Sequence, residues 1–193
     1  MADKALLTQD DCQKVGYDMS IVGKVIVLHP SALPEEYRST ERQLYFCTGG
    51  NGSNPNPIGR SIFTVSLADG EHVRWNRSDV LGIAKPEALS GQARLQLSQI
   101  RPIGALDLKS HEPQYSGYCY LSDGRYSSGV WLCSPKEVQD YIDMQKDYQH
   151  RIMICDREDC CVFEMVEGKL VYPTQEILDA YWQGQADGME LKL

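Results

Sequence analysis

Short apolar runs with period-two alternation, separated by turn signals, dominate the first half of the chain. The tripeptide Ala68-Asp69-Gly70 is typical of a hairpin turn between two such runs. Further along, Leu89, Ala93, Leu97 and Ile100 follow one another at spacings of 4, 4 and 3, which predicts an amphipathic helix. The pattern therefore predicts strands over 21–29, 43–47, 61–67 and 71–76, and a helix over 86–100.

The second half repeats this mixture of strands and helices. Ser134 is placed to cap a helix, with Pro135 at its first position and Glu137 completing a capping box. Thr174 is placed to cap a final helix in the same way. The pattern predicts strands over 115–121, 129–133, 151–155, 160–166 and 169–172, and helices over 134–148 and 175–183.

These elements predict an α+β fold in two small halves. The sheets are expected to be mainly antiparallel, because the strands are joined by hairpins rather than by helical crossovers. Pro, Gly, Ser and His residues cluster between Pro102 and Pro113, which indicates a boundary there. We predict a β-rich domain over 1–102, with a glycine-rich loop and one helix, and an acidic α+β domain over 103–193.

The acidic charge of the chain lies in its second half. Residues 1–102 hold 11 basic and 11 acidic side chains, whereas residues 103–193 hold 8 and 16, a net charge of −8. Such a surface attracts basic partners, although a plain solvated face explains it equally well. On the predicted helix, the acids were expected to oppose a stripe of Val138, Tyr141, Ile142 and Tyr148. The predicted partner-binding acids are Glu137, Asp140, Asp143 and Asp147, together with Asp156, Glu158 and Asp159 in a hairpin.

A glycine-rich segment, 47–52, is a second candidate site. Glycines allow backbone N–H groups to approach phosphate, and Arg60, Arg74 and Arg77 follow closely, which suggests contact with a nucleic-acid backbone. The segment lacks the ending of a P-loop, so a plain loop between strands is the alternative. By alternation, Trp75 is expected in the core and Arg74 on the surface.

The chain has 7 cysteines, an odd number that favours free thiols in a reducing compartment. Cys155, Cys160 and Cys161, with His150, form a weak candidate zinc site, and small thiols in the core are the alternative. Cys47 is the one thiol considered as a nucleophile, but common catalytic motifs are missing, so we predict a non-enzyme without a cofactor. No apolar run approaches the roughly 18 residues of a membrane helix, and no signal peptide is evident, so we expect a cytoplasmic protein without membrane partners.

A set of short motifs is spread over residues 21–100: Val27-Leu28-His29-Pro30, Leu33-Pro34, the run from Tyr45 to Gly52, Gly59-Arg60, Asp69-Gly70-Glu71, Arg74-Trp75-Asn76-Arg77 and Gly82. By these motifs, residues 21–100 resemble a small domain encoded on mobile elements of gut Firmicutes. The whole chain is similar to type II-A anti-CRISPR proteins from such elements, which inhibit Cas9; this likeness rests on size, acidity and the mobile-element domain.

The resemblance implies a non-enzymatic inhibitor in a host bacterial cell. It is expected to bind a Cas9-type effector, or the effector's complex with guide RNA or duplex DNA, through an acidic surface, and to block DNA targeting or cleavage. The alternative is a nucleic-acid-binding accessory protein of a conjugative element or phage.

Overall fold

A computed structural model describes residues 6–102, 112–174 and 176–177. The chain divides into two compact units, unit 1 (Met1–Leu97) and unit 2 (Ser98–Leu193). Each unit carries one antiparallel sheet and one α-helix among its described residues, which confirms the predicted α+β class.

Unit 1 is built on a six-stranded antiparallel sheet. The strands lie side by side in the order β1-β6-β2-β3-β4-β5, and α1 comes at the end of the unit. The elements are β1 (Cys12–Gln13), β2 (Val25–Leu28), β3 (Leu44–Gly49), β4 (Ser61–Ser66), β5 (His72–Asn76), β6 (Val80–Ala84) and α1 (Gly91–Ser98).

The core of unit 1 covers both faces of this sheet at its centre, because successive side chains of a strand point to opposite faces and those of β2 are all buried. All four residues of β2 are buried, as a continuous β-branched run predicts for a central strand. Trp75 packs against the core with its ring edge-on to Tyr45, at 5.5 Å between centroids, whereas Arg74 is exposed. The alternation predicted for this strand is therefore confirmed.

Several elements of unit 1 differ from the prediction, including the short strand β1, which was not predicted. The strand predicted over 21–29 begins only at Val25, because Gly23 turns the chain at a φ of 73°. The helix predicted over 86–100 is shortened to α1, since the Ser90 hydroxyl accepts the Ala93 N–H and starts the helix there. Strand β6 was not predicted, because Gly82 disfavours a strand. A Cβ at Gly82 would lie 2.5 Å from Cys12 Cβ, so the glycine permits close pairing with β1.

Unit 2 is built on a five-stranded antiparallel sheet in the order β11-β10-β9-β7-β8. Both β9 and β11 have the predicted bounds. The elements are β7 (Tyr115–Tyr120), β8 (Val130–Leu132), α2 (Pro135–Gln145), β9 (Arg151–Cys155), β10 (Cys161–Val166) and β11 (Lys169–Tyr172).

Helix α2 packs against β7 and β9. The Tyr141 ring is fully buried and lies so close to Gly117 that a Cβ there would be 2.7 Å from the ring. The predicted N-cap is confirmed, since the Ser134 hydroxyl accepts the Glu137 N–H at 3.2 Å. The Glu137 carboxylate, which was predicted to complete a capping box, accepts the N–H of Cys133 instead. The helix ends at Gln145, three residues before the predicted end.

The final helix predicted over 175–183 lies largely outside the described residues. At its predicted start, the Thr174 hydroxyl accepts the Ile177 N–H at 3.4 Å. Among the described residues, no helix is long and apolar enough to cross a membrane.

Candidate functional site

Glu137 is not part of the acidic surface predicted for α2. Its side chain has no exposed area, and its carboxylate accepts hydrogen bonds from the Arg101 guanidinium at 2.8 Å and from the Cys133 N–H. The reason is helical geometry: Tyr141 follows at i+4 and Met144 at i+7, so Glu137 lies in the middle of the buried stripe. The prediction for Glu137 is wrong, and its role is structural.

The other three acids of the helix lie toward solvent, and two of them are paired within the helix. Lys136 donates to the Asp140 carboxylate, and Lys146 donates to the Asp143 carboxylate at 2.7 Å. Asp147 is exposed one helical turn after Asp143. These pairs reduce the negative charge that the face offers to a partner.

The hairpin acids lie in the turn between β9 and β10. The Asp156 carboxylate accepts the backbone N–H groups of Glu158 at 3.0 Å and Cys160 at 2.9 Å, so it shapes the turn. Asp159 adopts a left-handed conformation with a φ of 61°, which Asp tolerates better than most residues. Glu158 and Asp159 are exposed.

These acids border a cavity of about 300 Å³ that also has an aromatic lining. Trp131 on β8 and Tyr118 on β7 face it from the same side of the sheet, because Trp131 pairs with Ser116 and Ser116 lies two residues before Tyr118. The indole of Trp131 is 62% exposed. We call Trp131, Tyr118, Asp156 and Asp159 the aromatic–acid pocket.

Two further features define this pocket. Arg157 also lines it, and its guanidinium is 2.6 Å from the Glu112 carboxylate. The Tyr118 ring packs over Gly129, where a Cβ would lie 2.9 Å from the ring. The glycine therefore sets the position of the ring.

The local potential is negative at this end of the sheet. Burial, with the charges of Asp159 and Asp156 acting in the same direction, raises the pKa of the Cys155 thiol to about 11. Cys155 is therefore a protonated thiol at neutral pH, which makes it a poor metal ligand and a poor nucleophile.

The four predicted zinc ligands do not come together. Cys155 pairs across the hairpin with Cys161 rather than with Cys160, whose side chain is exposed. His150 precedes β9 whereas Cys155 ends it, so about 16 Å of strand separates them. In the described part of the chain, no group of three or more His, Cys, Asp and Glu side chains is placed to hold a metal ion.

The glycine-rich loop of unit 1 is packed onto its own neighbours. The N–H of Gly52 donates to the Ser61 carbonyl at 2.8 Å, and that of Ser53 donates to the Gly50 carbonyl at 3.1 Å. A Cβ at Gly52 would lie 2.5 Å from the Arg60 carbonyl oxygen. The glycines thus permit close packing on β4, and these N–H groups are not directed at a ligand, which favours the plain-loop interpretation.

Arg77 stabilises that loop. Its guanidinium donates to the carbonyls of Gly52 at 2.7 Å, Met19 at 2.8 Å, Gly16 at 2.9 Å and Asn54 at 3.3 Å. A group with four internal acceptors has little capacity left for a phosphate, so the prediction of nucleic-acid contact is wrong for Arg77.

Arg60 and Arg74 are exposed, as a nucleic-acid site requires. Arg74 lies directly opposite Phe63 on β4, and the Phe63 ring is 51% exposed. This pair places a cation beside an exposed aromatic ring on one sheet face.

Cys47 is buried beneath the start of the loop. Burial raises the pKa of its thiol to about 11, although a backbone hydrogen bond with Gly49 and the charge of Arg77 act in the opposite direction. Such a thiol is protonated at neutral pH and a weak nucleophile.

Sequence reasoning missed three aromatic rings at these sites: the exposed Trp131 and Phe63, and the half-buried Tyr118. For two of them, the neighbouring residues indicate exposure. Trp131 lies between the buried Val130 and Leu132, and Phe63 lies between the buried Ile62 and Thr64. An aromatic residue out of phase with its apolar neighbours lies on the opposite sheet face.

Comparisons of the chain with protein-family models, with curated proteins and with solved structures found no match.

Proposed function

We propose that this protein is a non-enzymatic inhibitor that binds a Cas9-type effector, or the effector's nucleic-acid complex, through the acidic surface of unit 2. The single observation that carries the proposal is the aromatic–acid pocket at the Asp156–Asp159 hairpin. There, the exposed Asp159 and the half-buried Asp156 lie beside the exposed Trp131 indole and the half-buried Tyr118 ring. Protein-binding surfaces are enriched in Trp and Tyr, and carboxylates complement a basic partner.

The partner's chemistry follows from this complementarity. Cas9-type effectors hold nucleic acid in positively charged channels and read the adjacent motif with arginines. An acidic protein that occupies such a channel excludes the phosphates that normally lie there. Binding then blocks DNA targeting or cleavage without a chemical step.

Co-elution on size exclusion tests this proposal. The full chain is mixed with a type II-A Cas9, with and without guide RNA, and separately with duplex DNA alone. We expect co-elution with the effector and inhibition of its cleavage of target DNA. Failure to co-elute with the effector in both guide states contradicts the proposal.

A matched pair of charge variants shows which surface is used. The variant D147N/E158Q/D159N removes three exposed acids of unit 2, and Asn tolerates the left-handed backbone at position 159. The control E35Q/E36Q/E87Q removes three exposed acids of unit 1 with the same change in net charge. We expect the first variant alone to slow association and to reduce its salt dependence.

One observation favours a second candidate, a nucleic-acid-binding accessory protein. Phe63 and Arg74 form an exposed aromatic–guanidinium pair on unit 1, which is suited to stacking on unpaired bases. Anisotropy titrations with labelled single strand and duplex test it. We expect F63A and R74A to weaken single-strand binding and the exposed control K24A to leave it nearly unchanged. Equal effects of all three substitutions contradict a specific site.

A further inference from the structure

One face of the unit 2 sheet already holds an arginine side chain by a ring and a carboxylate. The Arg151 guanidinium lies 4.9 Å from the centroid of the Tyr120 ring, and its Nε donates to the Glu164 carboxylate at 2.7 Å. The ring attracts the cation through its quadrupole, and the carboxylate accepts the N–H.

The aromatic–acid pocket presents the same two kinds of group on the same face. Tyr118 lies two residues before Tyr120 on β7, so both rings project from one side of the sheet. The pocket adds the Trp131 indole, which is the aromatic ring that binds cations best. Its carboxylates come from Asp156 and Asp159.

The net negative charge at the pocket favours a cationic ligand. Arg157 at its edge is paired with Glu112, so the pair is neutral. Counted together with this pair, Asp156 and Asp159 leave a net charge of −2 at the pocket. A cavity of about 300 Å³ is at the small end of ligand pockets, which suits one side chain rather than a folded segment.

We propose that the aromatic–acid pocket binds a single arginine side chain of a basic protein partner, with the guanidinium against Trp131 and Tyr118 and its N–H groups toward Asp159. Arginine is favoured over lysine because a planar guanidinium stacks on aromatic rings and pairs with a carboxylate through two N–H groups. This inference rests on the proposed function, since it names the contact by which a basic effector surface is recognised.

A peptide titration tests the pocket without the effector. The probes are three hexapeptides of arginine, lysine and citrulline, the last of which keeps the shape of arginine without its charge. Binding is followed on the full ¹⁵N-labelled chain and on its variants through the backbone N–H signals of Glu158 and Asp159, and in the wild type also through the indole N–H signal of Trp131, assigned by comparison with W131F. We expect saturable shifts with the arginine peptide, weaker shifts with lysine and none with citrulline.

Two substitutions at one position separate a cation–π contact from simple packing. We expect W131F to bind the arginine peptide within a few-fold of the wild type, and W131L to bind it about tenfold more weakly, because Leu has no ring face. Trp131 is 62% exposed, so both variants should fold, which their thermal melts verify. Equal binding by W131L and W131F, or equal shifts with the citrulline peptide, overturns the inference.

The effector experiment then separates the two proposals. If Cas9 co-elutes with the wild type and with W131L equally, the pocket is not the contact, and the proposed function stands. If the arginine peptide binds as expected and Cas9 does not co-elute, the pocket stands, and the proposed function fails.

Discussion

Unit 1 and unit 2 each use one charged side chain to hold the chain together, in different ways. In unit 1, Arg77 is partly exposed and donates four hydrogen bonds to neutral backbone carbonyls. In unit 2, Glu137 has no exposed area and faces the full opposite charge of Arg101. A partly hydrated cation is satisfied by dipoles, whereas a buried carboxylate needs a counter-charge and N–H donors.

This difference determines how strongly the stability of each unit depends on a single side chain. The loss of one acceptor near Arg77 leaves three others, so the effect in unit 1 is spread over several bonds. The loss of Arg101 leaves the buried Glu137 carboxylate without its counter-charge, and the loss of Glu137 leaves the Cys133 N–H without that acceptor, so the effect in unit 2 is concentrated at one site. Each of the following substitutions tests that contrast.

Glu137→Ala is expected to have the largest effect on stability. It removes the acceptor of the Cys133 N–H and the partner of Arg101. Since Arg101 is 41% exposed and can be rehydrated, we expect a loss of about 2–4 kcal/mol in the free energy of unfolding. Urea denaturation measures it. Glu137→Gln keeps one acceptor and should lose less, and a loss below about 1 kcal/mol for the alanine variant contradicts the assignment.

Arg77→Ala is expected to have the next largest effect, because four carbonyls lose their donor at once. Those carbonyls can accept from water, so we expect a loss of about 1–3 kcal/mol. Arg74→Ala is the matched control, an exposed arginine of the same strand end, and should change stability by less than about 0.5 kcal/mol. Equal losses for the two arginine variants, measured by the same denaturation, count against a structural role of Arg77.

Much of the fold followed from the sequence, because alternation and turn residues carry local information. Strands β9 and β11 have their predicted bounds, and Ser134 caps α2 as its spacing indicates. What sequence reasoning missed depends on contacts between distant residues. Strand β6 contains a glycine that only its pairing with β1 explains. Trp131 becomes a pocket residue only when the hairpin acids are brought beside it.

The prediction that Glu137 lies on the surface failed for a different reason. It was based on the charge of the residue rather than on its position along the helix. Its carboxylate suggested exposure, although its spacing from Tyr141 and Met144 places it on the buried face. The counter-charge that permits this burial, Arg101, lies 36 residues away in sequence. No local pattern indicates such a partner.

Gly52→Ala tests whether the glycine-rich loop of unit 1 serves packing. The added Cβ would lie 2.5 Å from a backbone oxygen of Arg60, which cannot move as a side-chain end can. We expect a loss of about 1–2 kcal/mol from overpacking. The control Gly124→Asn introduces a side chain where no atom lies within 4 Å, in a left-handed conformation that Asn tolerates, and should lose less. Thermal melts of both variants compare them, and an unchanged melting temperature for Gly52→Ala contradicts the packing role.

The smallest effect on stability is expected from D140N/D143N/D147N, which neutralises the solvent-side acids of α2 and of the turn that follows it. Two of these acids have lysine partners on the same helix, at i,i+4 and i,i+3, and such exposed pairs contribute little. Their loss is also offset by relief of repulsion among like charges one turn apart. We therefore expect the free energy of unfolding to change by less than about 0.5 kcal/mol.

Measured beside Glu137→Ala, this variant separates the surface acids of α2 from its buried one. A loss as large as that of Glu137→Ala would mean that the exposed acids also hold the helix in place, and the contrast between surface and buried charge in unit 2 would then fail.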